Sequence, residues 1–193
     1  MAFQRGFKTW AKQIAEDTRG ELGLGPLDRL DPLVLAEHLA IPVFDLSSLR
    51  AAAPSVDHLL TSEPEAFSAV TVFDGSRRAI VHNDSHSPAR QCSNLGHELS
   101  HGLLAHPPTP AIDDTGCRIW NQDIEDEATW LSGCLLVTES AALAIAGGRW
   151  TTEEAAARFG VSTAMINYRL NATGARTRAS RARSARSKAT RHV

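Results

Sequence analysis

Apolar residues recur at helical spacing in the first segment, at Phe7, Trp10, Ala11, Ile14 and Ala15, and predict a helix over Phe7 to Glu21. Asp31-Pro32, an N-cap residue followed by a first-turn proline, opens a second helix carrying Leu33, Leu35, Ala36 and Leu39. Residues 41–46 read as a short strand. Two β-rich runs, 68–73 and 79–82, flank Asp74-Gly75 and predict a hairpin. Ser87-Pro88 starts a long helix that runs to about Ala105 and stops at Pro107-Pro108. A further helix begins near Asn121 to Asp123, continues past Leu136, bends around Thr138 and ends at Gly147-Gly148. Thr151 and Glu154 have capping-box spacing and open a short helix, and Gly160-Val161-Ser162 turns the chain into a last helix over residues 163–171.

Helices, a small antiparallel sheet and then more helices make an α+β pattern, not a doubly wound one. At 193 residues one domain is expected. Its parts are residues 1–148, a helical extension over 149–175 packed on it, and a tail over 176–193. No apolar run is long enough for a transmembrane helix, and the N-terminus lacks the apolar core of a signal peptide. Three cysteines, Cys92, Cys117 and Cys134, without CxxC spacing, argue against a disulfide framework and for a reducing cytoplasm.

Charge divides the chain. Of 20 Lys and Arg residues, seven lie from Arg176 onward with no acidic residue among them, so the first 175 residues hold 13 basic against 22 acidic. The basic tail has almost no large apolar residues and reads as disordered, with a nucleic-acid contact as its sharper reading.

The chemistry concentrates in His97-Glu98-Leu99-Ser100-His101, an HExxH sequence inside a predicted helix. Residues four apart in a helix differ by about 40° and rise about 6 Å, so both imidazoles face one point and suit one Zn²⁺. Glu98 then stands beside the metal, placed to take a proton from water. A catalytic zinc needs a third protein ligand and one open position. His106 is a poor candidate, because continued helix puts it about 180° from His97 and about 140° from His101. It is better read as a cap at the helix C-terminus. Glu127 is favoured. It lies on the apolar stripe of Ile124, Ala128, Leu131 and Leu135, where a carboxylate is costly unless paired or metal-bound. Glu125 and Asp126 look solvated. The plainer alternative is that all these acids only decorate a helix N-terminus.

The HExxH helix combined with Glu127-Ala-Thr-Trp-Leu-Ser-Gly-Cys-Leu-Leu136 resembles the ImmA/IrrE family of bacterial and phage metallopeptidases. The likeness extends to the approach over residues 81–91 and to Ala157-Phe-Gly-Val-Ser, Met165, Arg169 and Leu170. Asn94, Gly96, Ser100 and Val137-Thr138 depart from the family pattern. The resemblance implies a zincin-like fold, with a small, mostly antiparallel sheet packed on the HExxH helix and helix-turn-helix-like C-terminal helices. It implies one Zn²⁺ per chain on His97, His101 and Glu127, with Glu98 as catalytic acid/base. It further implies a cytoplasmic endopeptidase that cleaves a helix-turn-helix repressor and so derepresses mobile-element or stress genes.

An oxyanion donor is expected in such a site, with His86, Arg90 and Tyr168 as candidates. The loop over residues 107–118 is placed to form a cleft rim. A rival class is a DNA-binding regulator that reads bases with Asn167 and Arg169 and adds phosphate contacts from the tail. A silent zinc-holding binding protein is a third, against which Glu98 argues, since holding metal does not require it.

Overall fold

Eight α-helices and three strands form among the described residues, which are 3–75, 77–107 and 121–190 of the computed structural model. In chain order they are α1 (Phe7–Glu21), α2 (Pro32–His38), β1 (Val43–Asp45), β2 (Ala69–Asp74), β3 (Arg77–His82), α3 (Pro88–Leu103), α4 (Gln122–Leu136), α5 (Glu139–Ala146), α6 (Thr152–Phe159), α7 (Thr163–Ala172) and α8 (Ala175–Thr190).

Local signals set most boundaries. The Asp31 side chain accepts from the Leu33 amide, Asn121 from Asp123 and Thr138 from Ala141. Thr151 and Glu154 form the full capping box, and Ser162 caps α7. Ser87 makes no side-chain cap bond. The chain bends by 65° between α4 and α5. No single helix among the described residues is long and apolar enough to cross a membrane.

The sheet has the order β1-β3-β2. β2 and β3 form the expected antiparallel hairpin, with Thr71 opposite Ile80. β1 pairs parallel to β3, with Val43 opposite Ile80, so the sheet is mixed, with six antiparallel register pairs against three parallel. The cause lies in residues 46–66, which carry no clear periodicity. They fold into short helical turns over a separate apolar cluster of Leu46, Val56 and Leu60, and this excursion delivers β2 to the far side of β3.

The main core draws Leu35, Leu99, Leu131, Leu135, Phe159 and Ile166 into one cluster. α4 is its axis, buried on nearly every side from Asp126 onward. α1 packs there through Phe7, Ala11 and Ala15, whereas Trp10 points outward at 52% exposure. Arg19 is buried too, with Nη1 donating to the Leu135 carbonyl at 2.7 Å and Nη2 to those of Gly25 and Asp28 at 2.8 and 2.6 Å.

The tail departs most from expectation, because residues 175–190 are helical where disorder was expected. Alanine and arginine are strong helix formers, and small residues suffice for docking. Ala175 and Ala179 are buried, Arg178 pairs with Glu139, and Arg183 Nη1 donates to the Ala146 carbonyl at 3.1 Å.

Two glycines permit close approach to α4. A Cβ on Gly96 would lie 2.9 Å from Ser132 Oγ and 3.1 Å from Leu136 Cδ1. One on Gly133 would lie 2.8 Å from Arg169 Cδ and 3.1 Å from Tyr168 Cε1 on α7. Helix propensity alone favours Gly133→Ala by about 1 kcal/mol, whereas overpacking costs about 1–3 kcal/mol. We expect the clash to dominate, giving a lower urea midpoint. A midpoint raised by the substitution would refute the close-packing account.

Candidate metal centre

α3 presents His97 and His101 one turn apart, as the motif requires, with their Nε2 atoms 3.1 Å apart. α4 brings a carboxylate to the same point. Glu125 Oε2 lies 3.0 Å from His97 Nε2 and 3.7 Å from His101 Nε2. The two imidazoles hold the Glu125 carboxyl far below the ordinary carboxylate range, which keeps it anionic. These three residues form a cluster whose ligand atoms lie within 4.8 Å of one another. Ligands on a tetrahedral zinc at about 2.0–2.1 Å sit about 3.3 Å apart, so this donor set fits the ion in chemistry and spacing.

The structure therefore gathers the two histidines but places Glu127 elsewhere. Glu127 Oε2 lies 3.3 Å from His106 Nε2, and His106 Nδ1 lies 2.9 Å from His101 Nδ1. The expectation for Glu125 assumed that α4 has a solvated face. From Asp126 onward it has none, and at Glu125, half-buried at the end of the exposed first turn, His97 and His101 cover the carboxylate. The stripe of α4 toward α3 is Glu125, Thr129, Ser132 and Leu136, at spacings of four, three and four. Thr129 Oγ1 reaches 3.5 Å from His97 Nδ1, and the last two residues meet Gly96. Polar residues recurring at that spacing are the signal that marks Glu125.

His106 arrives by a backbone reversal. α3 ends in a Schellman motif, with the Ala105 amide bonded to the Gly102 carbonyl and the His106 amide to that of His101. Ala105 takes φ 52°, so angles extrapolated from continued helix do not apply beyond it. The backbone amide of His106 closes the motif, but its ring lies between His101 and Glu127 and does not stand as the cation at the helix end that was expected of it. Burial holds its imidazole below the ordinary value, against the pull of Glu127, and so favours a neutral ring able to accept at Nδ1.

Glu98 follows His97 on α3. Its Oε2 accepts a 2.6 Å hydrogen bond from the Thr71 hydroxyl on β2, an edge strand of this sheet. A threonine in a strand is unremarkable, and nothing in the sequence singles out Thr71.

The profile of the IrrE N-terminal-like domain, peptidase family M78, matches residues 37–171. The chain belongs to this peptidase family. No curated protein and no solved structure gives a significant match. In this M78 peptidase the matched span holds the HExxH helix, both candidate carboxylates of α4 and Thr71.

Two of the three oxyanion candidates have other attachments, since His86 Nε2 donates to the Pro64 carbonyl at 2.9 Å and Arg90 pairs with Glu65. The Tyr168 hydroxyl is buried with no hydrogen-bond partner among the described residues, and its ring packs near Gly133 on α4. Of the two base-reading candidates, Arg169 is buried and donates to the Val137 carbonyl, while Asn167 Oδ1 accepts from Arg176 Nη2 at 2.5 Å. The rim loop lies, beyond Pro107, outside the described residues, as does Cys117.

Metal affinity separates the two carboxylates. Glu125→Ala is expected to abolish stoichiometric zinc binding, measured by elemental mass spectrometry after dialysis. Glu127→Ala is expected to keep the site but weaken it about 10–100-fold, the usual effect of losing a residue that supports a ligand. The reverse order would return Glu127 to the metal.

Proposed function

We propose that this chain is a zinc-dependent endopeptidase that holds its metal on His97, His101 and Glu125 and uses Glu98 as general base and acid. The observation that carries this reading is the convergence of the two Nε2 atoms and the Glu125 carboxylate, with Glu98 following His97 on α3. His₂-carboxylate sets with one open position suit catalytic zinc, and the peptidase family favours the same chemistry.

Bound there, zinc would polarise the scissile carbonyl and acidify the attacking water. The protein's own residues supply the rest. His101 faces the metal with Nε2 when its Nδ1–H donates to His106, and His106 in turn donates from Nε2 to Glu127. This chain fixes the tautomer and orientation of the ligand. Glu98 takes the proton from water and delivers it to the leaving amine. The Thr71 hydroxyl holds one Glu98 oxygen and leaves the other for that transfer.

β2 supports a peptide as the substrate. Among the described residues its outer side has no neighbouring strand, so an extended chain laid along it gains main-chain hydrogen bonds within reach of Glu98. A helix-turn-helix repressor as that substrate rests on the family resemblance alone.

Glu98→Gln should retain zinc and lose at least about 10²-fold in cleavage, the scale of general acid–base catalysis. Mapping new protein N-termini in cells making wild type or Glu98→Gln tests both parts. Cleavage confined to wild type, within a DNA-binding repressor, is the expected result. Equal cleavage by the mutant excludes the mechanism, and wild-type-specific ends only in other proteins exclude the repressor. Thr71→Val should lower kcat about tenfold with zinc content unchanged, and Thr71→Ser should restore it. A loss confined to KM would remove Thr71 from the positioning of Glu98.

A further inference from the structure

A cavity of about 350 Å³ lies between α1, α4 and α7. Lys8 and Lys12 stand on one wall, and Trp130, Cys134, Arg169 and Arg19 are among the other lining residues. Three of these side chains carry a buried nitrogen without an acceptor, namely Arg169 Nη1, the Trp130 indole Nε1 and Arg19 Nε, the last on a guanidinium whose Nη atoms already donate to carbonyls. All three are donors. Such atoms are costly in a protein interior, and half of the unpartnered buried side-chain atoms among the described residues fall in this one lining.

Arg169 is the sharpest case. It is 2% exposed, its Nε donates to the Val137 carbonyl at 2.9 Å, and the Cys134 thiol lies beside it. None of its bonds goes to a carboxylate of the described residues. A buried guanidinium normally has an anionic partner or a full set of carbonyls. Lys8 adds positive potential, with Nζ 4.2 Å from the centre of the Trp130 ring. The lining carboxylates already have cations, since Glu139 takes Lys12 at 3.0 Å and Arg178, and Glu16 lies 3.8 Å from Lys12. The indole face, Ala15 and Ala172 add apolar wall, and Thr9, Thr138 and Thr173 complete the lining.

We propose that this cavity binds a small organic anion, a carboxylate or a phosphate ester, whose oxygens accept from Arg169, Arg19 and the Trp130 indole. The volume suits a compact ligand, and the Arg fork recognises either oxyanion. The site shares α4 with the metal centre but none of its ligands. It does not depend on the peptidase reading.

The test is a titration of the full-length protein, following the Trp130 indole N–H by NMR and assigning it by its loss in Trp130→Phe. Benzoate and inorganic phosphate are the probes, with sodium chloride at matched ionic strength as reference. A saturable shift with benzoate or phosphate, absent with chloride, is expected, and the probe that saturates identifies the oxyanion class. Arg169→Gln should weaken that binding about tenfold or more. If this variant does not fold, Lys8→Glu reverses a charge at the solvent-exposed wall and should weaken binding in the same direction. Shifts that never saturate, saturation equally by chloride (an adventitious ion only), or unchanged affinity in a folded variant would overturn the proposal. Zinc content measured on the same samples keeps this outcome separate from that of the metal centre.

Discussion

Helices α3 and α4 approach closely where Gly96 has no side chain and Ser132 and Leu136 cross it. Everything chemical in the molecule hangs on that approach. A motif on one helix supplies two imidazoles and the proposed general base, but it closes no site by itself. The third donor must come from another element, and its distance is set by how near the two helix axes lie. Gly96 costs α3 about 1 kcal/mol of helix propensity relative to alanine. That cost is spent at the crossing which brings Glu125 to 3.0 Å from His97.

The surrounding polar groups are arranged in the same economy. Arg19 and Arg169 both reach into the protein and donate to carbonyls at the C-terminal end of α4, at Leu135 and Val137. Carbonyls there have no partner within the helix, and a cation is the favoured company for them. The helix that carries the metal-centre carboxylate near its N-terminus is thus held at its other end by guanidinium groups from α1 and α7. This arrangement draws α7 into the core around α4, and its family-matched residues Arg169 and Leu170 are both buried.

What was legible in the sequence is what local chemistry writes. Caps at Asp31, Thr151 and Ser162, the Asp74-Gly75 turn and the i,i+4 histidines each act over a few residues, and each stands where the pattern puts it. The misplaced features depend on neighbours distant along the chain. Glu125 looks solvated only while α3 is ignored. His106 looks misdirected only while the helix is assumed to continue past Leu104. The parallel pairing of β1 follows from a 46–66 excursion with no periodic signature. The tail lacks large apolar residues and so reads as disordered, while its docking uses alanines at 175 and 179. In each case the residue was visible and its environment was not.

If a substrate pairs with the side of β2 left open among the described residues, as proposed, that pairing sets terms for whatever is cut. Main-chain hydrogen bonding to an edge strand reads no side chains, and it is available only to a chain that is extended. A helix or a compact loop cannot offer its backbone until it opens. The rate at a given bond therefore carries the equilibrium constant for local unfolding of the target, with each 1.4 kcal/mol of local stability lowering it about tenfold. Under that constraint selectivity resides partly in the substrate. Anything that loosens one segment of a target protein would act as a switch without touching this enzyme.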